Sequence, residues 1–213
     1  MRVVEVYSLK LQWSSKMKFI ITLLLLSSVV FASSINDSLL KVHATLLPKL
    51  YLMDYKFKSK LIKDTIKISL VYTSNDYKSA ESLKNKIYSR YANGLKSYKI
   101  DVKLIKYHNL KSQTSNIFYF FPASSSEIKH AVSVAKKSNA LTFSYLKDDL
   151  HNGVMISLAV GKDVKPILNL NAIKINNINL RPVLIDISIV FVAKEVVYKL
   201  LFIDTKNLFV FKV

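Results

Sequence analysis

Hydrophobic positions spaced by three and four residues predict amphipathic helices in the first two thirds of the chain. Pro48 has no backbone N–H to donate, so the first helix is expected to kink or restart there. Before the third helix, Ser124 and Glu127 stand three residues apart, the spacing of a capping box. The predicted helices cover Ser38–Phe57, Tyr77–Tyr91 and the residues from Ser124 to Lys137.

Alternating and continuous apolar runs predict strands between and after these helices. The run Ile117–Phe121 is apolar throughout, which is typical of a central strand buried on both faces. Other strands are predicted at Ile66–Tyr72, Tyr98–Leu104 and Ala140–Tyr145, and in a hairpin of Val154–Val160 with Lys165–Leu170. This alternation favours an α/β fold, which we expect to be a single layered domain with a mixed sheet flanked by helices.

The last third of the chain gives shorter signals. Helical turns are predicted at Ala172–Ile178 and Val183–Ile189, and a turn or single helical turn at Asp148–Asp149 before Gly153. The apolar tail Val190–Val213 fits either added strands or an irregular extension.

A lysine followed by a short apolar run stands near the amino terminus, at Met17–Ala32. The run ends in Val30-Phe31-Ala32 and is shorter than the ~20 residues that span a bilayer, so it predicts a cleavable signal peptide over 17–32 and a periplasmic protein. A retained inner-membrane anchor is the alternative. The expected division is 1–32 for an extension plus signal peptide, 33–190 for the domain and 191–213 for the tail.

Composition removes several classes of function. There is no Cys, which excludes disulfides, thiolate metal sites and a cysteine nucleophile, and only 3 Gly, too few for glycine-rich phosphate loops. The formal charge is +18, but Arg2, Arg90 and Arg181 are the only Arg, and the many Lys are dispersed. Dispersed Lys is typical of a solvated surface or of contact with an anionic envelope surface, and does not indicate a specific nucleic-acid partner.

Residues that could carry chemistry are scattered. His43, His108, His130 and His151 show no metal-ligand spacing, so a surface or capping role is expected for each. Asp148-Asp149 is the only adjacent acidic pair, and a polar turn explains it better than an acid–base dyad. We therefore expect no catalytic residue, metal ion or cofactor, and a protein that is not an enzyme.

The order of patterns from Leu39 to Ile189 resembles the YfiR/HmsC-like periplasmic proteins. The resemblance rests on a long first helix, on Gly153-Val154-Met155-Ile156, on the segment from Pro166 to Ala172 that contains Asn169, and on the Leu-rich segment Leu180–Ile189. It implies an exported α/β protein that restrains an inner-membrane diguanylate cyclase by contacting the periplasmic sensor domain of that enzyme.

The chain also departs from that family. Members often carry cysteines, commonly have Gly-Gly at the strand start, and have an acidic residue where Leu168 stands; here Asn152 precedes Gly153. The resemblance therefore does not imply redox sensing, and it assigns only Gly153 and Asn169 as family-motif positions. Both also fit structural roles, a turn with positive φ for Gly153 and pairing of a strand-end backbone group for Asn169.

These observations favour a periplasmic regulatory or binding protein that contacts an inner-membrane sensor protein or diguanylate cyclase. A periplasmic solute-binding component of a transport system is the alternative. The other partners considered are a second copy of the chain in a homodimer and an anionic envelope surface.

Overall fold

A mixed sheet of seven strands forms the centre of the computed structural model, which describes residues 35–192. The strand order is β2-β1-β3-β4-β5-β6-β7; β1 to β5 are parallel, β6 is antiparallel to β5, and β7 is parallel to β6. The strands are β1 Thr65–Tyr72, β2 Lys99–Lys106, β3 Ile117–Phe120, β4 Leu141–Ser144, β5 Ile156–Val160, β6 Val164–Leu168 and β7 Ile189–Val190. The predicted α/β domain with a mixed sheet is confirmed.

Helices cover both faces of this sheet. The α-helices are α1 Asp37–Tyr51, α2 Tyr77–Arg90, α3 Ser125–Lys137, α4 Leu170–Ile175 and α5 Pro182–Asp186. Short 3-10 helices lie at Lys58–Lys60, Ser74–Asp76, Tyr107–Asn109 and Lys147–Asn152. The predicted capping box is present at the start of α3, where Ser124 Oγ accepts from Glu127 N and the Glu127 carboxylate accepts from Ser124 N.

The core has two layers because β3 is buried on both faces, as its continuous apolar run predicts. Phe118 and Phe120 belong to the cluster that packs against α3. Tyr119 lies on the opposite face, where its ring contacts His43 of α1 and stacks on Phe143 of β4. Most aromatic side chains of these strands therefore pack in the core and are not free to stack on a ligand.

The first helix ends earlier than the sequence predicts, at Tyr51 and not at Phe57. Helix α1 continues through Pro48 and ends at Tyr51, and the chain then turns around the buried carboxylate of Asp54. Asp54 Oδ1 accepts from Asn179 N at 3.1 Å, and Asp54 Oδ2 forms an ion pair with Lys60 at 2.6 Å. Phe57 follows this turn and is buried although it is not helical. Its apolar side chain stands at a helical spacing in the sequence, which is why the pattern predicts a longer helix.

The segment Val183–Ile189 also departs from the predicted helical turn. Helix α5 ends at Asp186, and Ile189 and Val190 form β7 beside Ile167 and Leu168 of β6. The open edge of β6 offers backbone hydrogen bonds that a longer helix would forgo.

The predicted signal peptide at 17–32 and the tail from 193 to 213 lie outside the described residues. Among the helices of residues 35–192, none combines the length and the apolar character that crossing a bilayer demands.

Candidate functional site

A largely apolar cavity of about 460 Å³ lies where α3, the 3-10 helix Lys147–Asn152, α4 and the segment after β7 meet. Its walls are formed mainly by aliphatic and aromatic side chains: Val132, Leu150, Leu170, Ala172, Ile175, Val190, Phe191 and Val192. Size and lining fall within the range of small-molecule sites, which are concave, mostly apolar and carry few polar groups.

The two family-motif positions meet at this cavity. Gly153 ends the 3-10 helix with φ +91°, a conformation that favours glycine, and Asn169 caps α4. The Asn169 side chain accepts from Ala172 N at 3.0 Å and donates to Leu150 O at 2.9 Å. Both residues thus build the cavity wall, and both ends of the Asn169 amide are engaged in doing so.

A second buried asparagine, Asn176, lines the same cavity and was not singled out by the sequence. It follows α4, and its Nδ2 donates to Ala172 O at 2.7 Å. Its Oδ1 is buried and has no hydrogen-bond partner within residues 35–192. An unpaired buried oxygen is uncommon, and this one is shielded from solvent and therefore from a solute in the cavity.

The polar rim of the cavity is basic. Lys136 and His151 are exposed at its edge, and the His151 ring packs edge-on against Phe191 at 4.8 Å between centroids. None of the lining residues, all within the described part of the chain, is acidic. A cationic ligand would therefore find no counter-charge there.

A larger groove of about 820 Å³ lies at the surface between α1 and α2, and its lining is mainly polar and charged. It is lined by Lys41, Lys78, Lys86 and Arg90 together with Glu81, hydroxyl and amide side chains. Lys86 is already paired with Asp37 at 2.8 Å, and the carboxylate of Asp37 has a lowered pKa because Lys86 and Ser82 hydrogen-bond to it. Its charged walls fit a solvated surface better than an enclosing site.

The carboxyl edge of the parallel strands is the usual ligand position in open α/β sheets, at the switch point between β1 and β3. Here both helices that start at this edge already hold a carboxylate of their own. Asp76 accepts from Thr73 Oγ1 at 2.6 Å before α2, and Glu127 accepts from Ser124 Oγ at 2.7 Å at α3. Those helix ends are therefore poorly suited to an anionic ligand.

The other candidates from the sequence have mixed outcomes. His43 is fully buried, so the expected surface or capping role is wrong for it; burial lowers its pKa to about 4. Asp148 and Asp149 lie in the 3-10 helix that ends at Gly153, so the predicted helical turn is confirmed. Asp149 is nevertheless buried there: it accepts from Ser144 Oγ, and burial raises its pKa. His108 and His130 flank a smaller cavity beside Glu127. Within residues 35–192, no three His, Asp or Glu side chains gather as a metal site.

The sequence matches no protein-family model and no curated protein. A conserved domain protein from Vibrio cholerae O1 biovar El Tor is 14% identical, with a TM-score of 0.51 over 71% of this chain and 59% of that protein. This likeness shows a shared fold.

Two further solved structures are more distant. The ABC domain in complex with L-Trp from Streptococcus pneumoniae is 10% identical, with a TM-score of 0.45 over 67% of this chain and 60% of that one. The substrate-binding protein with adhesive properties CD0873 from Clostridium difficile is 10% identical, with a TM-score of 0.41 over 69% and 57%. The chain spans less than two thirds of each of the three proteins.

Proposed function

We propose that the domain is a non-catalytic binding protein that takes a small, largely apolar solute in the cavity between α3, α4 and Val190–Val192. The observation that carries the proposal is a cavity of about 460 Å³ with mainly apolar walls and no acidic residue in its lining. Wall side chains such as Ile175 and Val190 are exposed to solvent, so a solute that covers them removes apolar surface from water.

The size of the cavity sets the expected affinity. An aromatic ring system the size of a Trp side chain buries roughly 150–250 Å². At about 25 cal/mol per Å² this burial contributes at most ~4–6 kcal/mol, and the freedom that the solute loses on binding offsets part of it, so a Kd of about a millimolar or weaker is expected. Binding should therefore be measured at millimolar probe concentrations.

This role fits a periplasmic solute-binding component of a transport system. Export would depend on the predicted signal peptide at 17–32, and mass spectrometry of the mature amino terminus in periplasmic extract tests it. A mature chain that begins near residue 33 supports export, and an uncleaved chain in the cytosolic fraction contradicts it.

The binding test compares a blocked cavity with a matched surface change. Ile175→Trp places a large ring at an exposed wall position, 54% exposed, and Val160→Trp adds the same ring at a position 60% exposed and outside the cavity. Indole should raise the melting temperature of the unmodified chain and of Val160→Trp, and should not raise that of Ile175→Trp. An equal effect on all three, or none on any, would contradict the proposal.

A second candidate is the contact with an inner-membrane sensor protein or diguanylate cyclase that the YfiR/HmsC-like resemblance implies. One observation favours it: large apolar side chains are exposed on or directly after α4, α5 and β7, at Ile175, Val183, Ile187, Ile189 and Val190, and two of them, Ile175 and Val190, line the cavity. Clustered exposed apolar residues often mark protein interfaces.

Photo-crosslinking in living cells tests this second role. A crosslinker placed at Val183 should capture an inner-membrane protein, whereas one at Val160 should not. Capture at neither position, together with an unchanged cellular level of cyclic-di-GMP when the gene is deleted, would exclude it.

A further inference from the structure

We infer that the groove between α1 and α2 binds a linear acidic polysaccharide, one whose sugars carry carboxylates. The inference goes beyond the solute cavity, because the groove shares no lining residue with it and lies with α1 on the sheet face opposite to α3. It starts from three basic side chains of the groove that form no ion pair within residues 35–192: Lys41, Lys78 and Arg90.

The groove is long and open. The Asp37 carboxylate of α1 accepts from Ser82 of α2 at 3.1 Å, and Tyr91 Oη, directly after α2, donates to Thr45 O at 2.6 Å. These contacts hold the two helices side by side. The lining residues of α2 extend over residues 78 to 90, about 18 Å at the helical rise per residue. A chain molecule can lie along such a groove without being enclosed by it.

Positive charge is in excess along the groove. Glu81 is the one acidic residue of its lining, all of which belongs to the described part of the chain, and Lys86 is paired with Asp37. The three basic residues that have no such partner are exposed. An exposed ion pair contributes little by itself, so a ligand that carries one anionic group gains little here. A ligand with repeated anionic groups meets several of these charges at once.

The neutral part of the lining favours sugars. Asn85 and Ser89 are exposed and lie one helical turn apart on α2. Their amide and hydroxyl groups donate and accept hydrogen bonds, as sugar hydroxyls do. Single-stranded nucleic acids use aromatic side chains on which the bases stack, and none of the lining residues, which all fall within 35–192, is aromatic. Ala44 is the only apolar residue among them, so a lipid chain would find little to contact.

Calorimetric titration of the full-length chain with three defined probes tests the inference. Alginate hexasaccharide is a linear chain of acidic sugars. Hexaglutamate with blocked termini carries the same number of carboxylates without sugars, and maltohexaose is an uncharged sugar chain. Alginate hexasaccharide should bind most tightly, and added salt should weaken its binding because salt screens exposed charges. Maltohexaose should show no measurable binding.

Matched pairs of lysine substitutions locate the binding. Lys41→Gln with Lys78→Gln removes one charge from each wall of the groove and should lower the affinity for alginate hexasaccharide about tenfold, in the upper range for two exposed ion pairs. Lys129→Gln with Lys137→Gln removes the same charge from α3 and should lower it less than about twofold. All four lysines are exposed, so both variants should fold.

A further variant tests the contacts with sugar hydroxyls. Asn85→Ala with Ser89→Ala removes hydrogen-bonding groups and no charge. It should weaken the binding of alginate hexasaccharide about tenfold and leave that of hexaglutamate unchanged. Ser133→Ala, at an exposed position of α3, should change neither affinity.

Several results would overturn the inference. Alginate hexasaccharide that does not bind, or that both lysine pairs weaken equally, would mean that the groove is not its site. Equal affinity for hexaglutamate, or no effect of the Asn85 and Ser89 substitutions, would mean that sugars are not recognised. Tighter, groove-dependent binding of hexathymidylate or of anionic lipid vesicles would assign the groove to a different partner. The solute cavity is unaffected by each of these results, since the groove variants leave its lining unchanged.

Discussion

His43 should make the folded domain less stable at acid pH. The side chain is fully buried beneath α1, between the rings of Tyr119, Phe143 and Tyr145. Its Nδ1 hydrogen-bonds the Tyr119 hydroxyl at 2.6 Å, and its Nε2 has no partner within residues 35–192. A second proton on this ring would be buried among aromatic carbon atoms.

The pKa of His43 gives the size of the effect. Burial lowers it from 6.5 to about 4. The unfolded chain takes up a proton below pH 6.5, while the folded chain resists protonation until about pH 4. Stability is therefore complete above pH 6.5 and falls as the pH drops toward 4. At 1.36 kcal/mol per pKa unit, the loss is about 3 kcal/mol.

The assay is urea unfolding at several pH values between 7.5 and ~4 for the unmodified chain and two variants. His43→Phe keeps a ring in the cluster and removes the titration, so its free energy of unfolding should fall by about 3 kcal/mol less over that range. His108→Gln removes an exposed histidine and should follow the unmodified chain. Parallel pH curves for the unmodified chain and His43→Phe would refute the reasoning.

Two glycines and one helix cap give further predictions. Gly153→Ala should lower the free energy of unfolding by about 1–2 kcal/mol because of the positive φ alone, since the added Cβ would lie 3.5 Å from its nearest neighbour. Gly94→Ala should cost more in the same denaturation assay, because its Cβ would lie 2.3 Å from a backbone oxygen; equal losses would contradict this. Ser124→Ala should cost about 1 kcal/mol by calorimetry through loss of the α3 cap, whereas Ser125→Ala should cost little; matching losses would show that the cap adds nothing.

Much of the fold follows from patterns that are local in the sequence. The continuous apolar run Ile117–Phe121 predicts a doubly buried strand, and the Ser124–Glu127 pair predicts the start of α3. Such elements form because their burial and caps are encoded within a few residues of one another. The sheet order is different, since it depends on contacts between distant segments.

The errors arose where a distant partner decides the local conformation. The Asp54 carboxylate accepts a hydrogen bond from Asn179 N, which is distant in the sequence. The turn around Asp54 follows the end of α1 before Phe57, and the spacing of apolar residues does not reveal it. Likewise, Ile189 and Val190 become a strand because β6 has a free edge. His43 falls on the buried face of α1. The apolar positions Leu40, Ala44 and Leu47 mark that face in the sequence and would have predicted that His43 is buried.

The candidate site was only partly predictable. Gly153 and Asn169 were singled out, but their meeting at one cavity depends on the β5–β6 hairpin and the 3-10 helix packing together. Asn176 gave no signal, because an asparagine after a short helix is an ordinary end residue. Its place in the cavity wall follows from the packing of α4, which only the three-dimensional arrangement reveals.

Amide chemical-shift mapping with indole tests the binding cavity most directly. The account predicts saturable shifts concentrated at Gly153, Asn169, Ala172 and Asn176, with Thr73 and Ser124 at the opposite edge of the sheet unmoved. Shifts that concentrate at Thr73 and Ser124, or no saturable shift at millimolar probe, would contradict it.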